Sequence, residues 1–88
     1  MAMPCDLESA ARYALMKLVA ARLLQEQPTM LKQQAVLRAG RMMNDPKREI
    51  PVKQFVHALL YHLGTGLTAF EAEFPGAAVT IISWEDRP

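Results

Sequence analysis

Ala77-Ala78-Val79-Thr80-Ile81-Ile82-Ser83-Trp84 is the stretch on which the architecture turns. Its β-branched run, set off by the Pro75-Gly76 break, predicts a strand over residues 77–84. In extended form Val79 and Ile81 point one way, and Thr80, Ile82 and Trp84 the other. Both faces carry apolar groups, so neither suits open water. A strand also presents a row of amides and carbonyls that must find partners. The other β-like segment, Arg48-Glu49-Ile50-Pro51-Val52, is a poor mate, because Pro51 lacks a donor and confines it to an edge. The expectation is therefore pairing between chains. Two copies would lie antiparallel across a two-fold axis, or the strand would add to the sheet edge of a different protein. The plainer alternative is an extended tail packed on the helices and paired partly with residues 48–52 and water.

Upstream, the chain reads as helices separated by short breaks. Asp6 is placed to cap a first helix from Leu7 to about Gln27, with Glu8 suiting the dipole of its first turn. Gln27-Pro28-Thr29 interrupts it, and Thr29 is the expected cap of a second helix from Met30 to about Asn44. Asp45-Pro46 ends that helix, and Lys47-Arg48-Glu49 reads as a charged turn. Pro51 suits the first position of a third helix running to Leu63, with Gly64 as its left-handed cap. Thr68-Ala69-Phe70-Glu71 has capping-box spacing for a short fourth helix. The fold class expected is mainly α: three longer helices, one short helix and a single C-terminal strand paired between chains. Residues 1–5 are expected to be a flexible N-terminus, and 6–88 one small domain.

Helical projection separates the long helices by role. In the third, Val52, Phe55, Val56, Leu59, Leu60 and Leu63 form one stripe, as in a surface helix packed on a core. The first helix has no clean polar side: Tyr13, Leu15, Met16, Leu18, Val19, Leu23 and Leu24 point all round it. Ala10, Ala14 and Ala21 share a strip with Lys17 between them, where a second helix can approach closely. Two readings compete: a central helix in a three-helix core, or a helix whose surplus apolar face meets another chain. The six methionines point weakly the same way, because methionine adapts to irregular cores and to partner surfaces alike.

With 88 residues, 51% hydrophobic and 22% charged, the chain is neither a disordered polyelectrolyte nor long enough for two cores. A net charge of +1 hides an uneven distribution: residues 32–53 carry +4 and residues 54–88 carry −3. Arg38, Arg41, Lys47, Arg48 and Lys53 are therefore candidate contacts for phosphates or for an acidic partner. A helix-turn-helix reading fits poorly, because the linker from Asp45 to Ile50 exceeds the usual tight turn. The single Cys5 excludes an internal disulfide, and His57 and His62 lie roughly 140° apart on a helix, too far to chelate one metal. No glycine-rich phosphate loop is present. Neither a secretory leader nor a membrane span is evident, so a cytoplasmic location without membrane contact is expected.

The function expected is a non-enzymatic protein–protein interaction module, an adaptor, inhibitor or accessory subunit and a homodimer, with no cofactor and no metal. Its interface would use Tyr13, Leu24, Val79, Ile81, Ile82 and Trp84, with Trp84 as the anchor. The alternative is a small nucleic-acid-binding regulator using the basic segment 32–53.

Overall fold

Asp6 does what its position predicts: its carboxylate accepts from the Ser9 amide at 2.9 Å and starts α1, Leu7–Glu26. A computed structural model describes residues 6–84, and within them four further helices follow. These are α2 (Lys32–Met43), α3 (Glu49–Leu60), α4 (Leu67–Glu73) and α5 (Ala77–Ser83), with a 3-10 turn at Pro46–Arg48. The expected mobile N-terminus at residues 1–5, with Cys5, lies outside the described residues, as do Glu85 and Asp86. Four boundaries differ from expectation, among them the end of α3, which stops at Leu60 and not at Leu63. Leu31, not Thr29, precedes α2, and its amide donates to the Gln34 side chain at 3.2 Å. Pro51 is the third residue of α3 rather than the first, because the 3-10 turn runs straight into that helix. Gly66, not Gly64, takes the positive φ of 97°, closing the turns after α3 and serving as the N-cap of α4 in place of Thr68.

The predicted C-terminal strand is absent, and among the described residues there is no strand at all. Residues 77–83 form α5 instead. A helix bonds its own amides and carbonyls, so the row of unpaired groups that called for a second chain does not arise. Val79, Thr80, Ile81 and Ile82 each cost at most about 0.7 kcal/mol relative to alanine in a helix. Burying Ile81 alone returns about 1.5–3 kcal/mol. Ala77 and Ile81, four apart, both turn into the core, while Val79 remains 38% exposed. The β-branched run is thus amphipathic at helical spacing, and tertiary burial overrides local preference.

The carbonyls at the end of α5 reach a partner far away in sequence. Arg48 donates from Nε to the Ile81 carbonyl at 2.7 Å and from Nη2 to the Ile82 carbonyl at 3.2 Å. Its Nη1 pairs with Asp45, whose other carboxylate oxygen accepts from the Lys47 amide. Arg48 is only 4% exposed. A buried guanidinium is tolerable because a carboxylate and the negative end of a helix dipole surround it. Arg12 repeats the device more openly at the end of α2, donating to the Met43 carbonyl and the Asn44 side chain, both at 3.3 Å.

α1 packs on α2, α3 and α5 and runs through the middle of the arrangement. Its Ala11, Leu15, Val19, Ala20 and Leu23 face Ala35, Ala39 and Met43 of α2, Val52, Val56 and Leu59 of α3, and Ile81 of α5 within one core. Phe70 of α4 is fully buried and meets Phe55 and Phe74 ring against ring, at centroid separations of 6.5 and 5.3 Å. The molecule measures 38 × 29 × 26 Å.

Candidate functional site

With its inner side committed to the core, α1 still has an outer side. Ala10, Tyr13, Lys17 and Ala21 are exposed there, with Ala14 and Leu24 half-buried beside them. At 100° per residue these six fall within about a third of the helix circumference. Lys17 is the one charged group among them, and its Nζ stands 5.3 Å from the centroid of the Tyr13 ring. An ammonium at that distance is held by the ring quadrupole, so even the cation lies along an aromatic surface. An ordinary solvent-facing helix carries charges on this side. This one carries alanines.

Both flanks extend the surface. On one side Leu18 and Ala21 line a cleft of about 200 Å³ with Phe74, Ala78 and Val79, bordered by the polar Arg22, Gln25 and Glu71. On the other, Tyr13 and Met16 share a depression with Gly40 and Met43 of α2. Gly40 leaves that wall low: a β-carbon there would meet the Met16 sulfur at 3.8 Å. Farther along α2, Val36 and the 63% exposed Leu37 form a mostly apolar hollow with Lys32 and Gln33.

The six residues expected at an interface separate accordingly. Tyr13 is 60% exposed and Leu24 lies on the same strip. Val79 lies across the cleft between α1 and α5, opposite Leu18 and Ala21 and not beside Tyr13 or Leu24. Ile81 is fully buried and belongs to the core, so its expected interface role does not stand in this fold. Ile82 and Trp84 are half-buried. The strand that was to align them has become about two turns of helix, which turns Ile81 inward.

The basic group also separates. Arg38, Arg41 and Lys47 are exposed. Lys53 is exposed but lies 3.5 Å from Glu49 one turn earlier. Arg48 is turned inward onto Asp45 and α5, so it offers nothing to a phosphate outside. Sequence reasoning missed this inward arginine. The available signal was Asp45 three residues before it, the spacing of a local ion pair.

Among the described residues, the other titratable groups pair locally. His57 is exposed, whereas the His62 Nε2 lies 2.8 Å from a Glu73 carboxylate oxygen and its ring meets the edge of Phe70. That arrangement ties the end of α3 to α4. A shallow cleft of about 290 Å³ lined by Arg12, Asn44, Asp45, Glu49 and Lys53 carries both signs of charge, already engaged with one another or with backbone. Among the described residues no group of three or more His, Cys, Asp or Glu side chains is placed to hold a metal ion. No helix among them is long and apolar enough to cross a membrane. Comparison with protein families, with curated proteins and with solved structures yields no match.

Proposed function

We propose that this chain is a non-enzymatic protein–protein association module that binds through the outward face of α1. One observation carries the reading: a central helix presents alanines, a tyrosine and a leucine to solvent, with Lys17 the single charge among them. An outward apolar helix face rimmed by further apolar side chains is the usual mark of a docking surface. Tyr13 is its natural anchor, since a large ring gives up little conformational freedom on binding. The module would serve as an adaptor, inhibitor or accessory subunit, and self-association fits within that role. The regulator reading retains Arg38, Arg41 and Lys47 as outward cations, but not the inward Arg48.

The test uses the full chain as bait, with a differently tagged copy of the chain present among the candidate partners. Ala10→Glu/Ala21→Glu places two charges on the strip without touching the core. A partner identified by mass spectrometry, the tagged copy included, should be lost at least tenfold with the variant while its helical circular dichroism is unchanged. Identical capture by both proteins would remove the reading.

A further inference from the structure

The outward strip of α1 is self-complementary about one residue. Measured from Lys17, bulky groups stand at −4 (Tyr13) and +7 (Leu24), and alanines at +4 (Ala21) and −7 (Ala10). If a second α1 runs antiparallel with Lys17 facing Lys17, Tyr13 of each copy falls over Ala21 of the other, and Leu24 over Ala10. Every large side chain then meets a small one, twice over, as an isologous two-fold interface requires. We infer that the occupant of this face is a second copy of the chain, its α1 antiparallel to the first and the two-fold axis passing at Lys17. This rests on the association reading above and names its partner.

Two like charges at the axis are the objection, and the geometry answers it. Each Lys17 ammonium leans toward its own Tyr13 ring, at 5.3 Å from the centroid. Tyr13 lies about 6 Å from Lys17 along the helix, toward its N-terminus. In an antiparallel pair the two N-termini point opposite ways, so the two ammoniums lean away from one another along the seam. A parallel pair would carry both ammoniums the same way and leave them side by side.

Area sets what the pairing requires. The strip from Ala10 to Leu24 is about 21 Å long, and at roughly 10 Å wide it gives about 210 Å² per copy. A stable pair needs about 1,200 Å² in total, or about 600 Å² per copy, so most of the contact must come from the flanks. A two-fold axis across antiparallel helices sets each flank beside its own counterpart, bringing the Val79 sides together and the Met16–Gly40 sides together. Such a contact is that of a weak, reversible dimer.

Sedimentation equilibrium of the full chain should show the mass doubling between about 1 and 200 μM. Ala21→Glu, with unchanged circular dichroism, should hold it at monomer mass. Register is read in a Cys5→Ser background: Lys17→Cys should cross-link to its own copy on mild oxidation. Gln25→Cys should not, because its counterpart would lie roughly 24 Å away along the pair. Cross-linking at Gln25→Cys, or none at Lys17→Cys in a dimeric protein, would overturn the antiparallel pairing. A monomer up to about 1 mM would overturn self-pairing altogether. If the Ala10→Glu/Ala21→Glu variant nonetheless lost a different captured protein, the association reading would stand without the second copy. If it lost nothing, both would fall.

Discussion

Arg48 is the residue on which the C-terminal third depends. Replacing it with methionine keeps the apolar stem and strips the donors from the Ile81 and Ile82 carbonyls. The buried Ile81 carbonyl alone should then cost about 1–3 kcal/mol. A chain of this length has about 4–13 kcal/mol to lose. Asp45, a quarter exposed, can return to water, so the damage should fall on α5 first. Amide exchange over residues 77–83 should accelerate in Arg48→Met more than exchange in α1, and equal acceleration in both would show that α5 is not separately held. Arg48→Lys should recover only part of the loss, because a single ammonium cannot reproduce the fork that reaches two carbonyls. None of this was legible in Lys47-Arg48-Glu49, which reads as a solvated charged turn. Burial of a charge is decided by what folds over it, and that came from residues 33 and 34 positions later.

Among the elements, α1 and α5 show what local sequence can and cannot say. α1 was legible to within a residue, because Asp6 caps it, Pro28 closes it and nothing between breaks it. Its crowded apolar pattern also announced a helix with neighbours on several sides, and α2, α3 and α5 supply three of them. α5 was misread because four β-branched residues in a row carry a strand preference of the same size as the helix cost, and periodicity over seven residues is too short to decide. Val79 is the residue that tells the two apart: a strand would turn it the same way as Ala77 and Ile81, whereas the helix buries those two and leaves Val79 38% exposed. The cap of α1 carries its own pH dependence. The Ser9 amide, and secondarily the Ser9 side chain, hold the Asp6 carboxyl below its ordinary value. The stability from this cap is therefore fully present above the unfolded-state pKa and is lost as pH falls through the lowered folded-state value. Asp6→Ala should lower the thermal midpoint at neutral pH, and the gap to the unaltered protein should close in acid, once the pH has fallen below the lowered folded-state value. A gap that persists in acid would mean that the ionised cap contributes nothing.

For the molecule as a whole, the helical class and the crowded first helix followed from the sequence, while the layout of the candidate surface did not. Val79 reached the Leu18–Ala21 edge of α1 only once α5 had folded against that helix. Ile81 and Arg48 left their expected sites for the same reason. A chain ending at Gly76 lacks Ile81, a fully buried core side chain, and both carbonyl acceptors of Arg48. It should show markedly reduced thermal stability and bind a hydrophobic dye, and a cooperative transition matching that of the full chain would refute the dependence. The inward arginine also joins two distant stretches of sequence into one folding unit. The turn at 46–48 and α5 share a single set of donors and acceptors, so loosening either one exposes both the guanidinium and the carbonyls it covers.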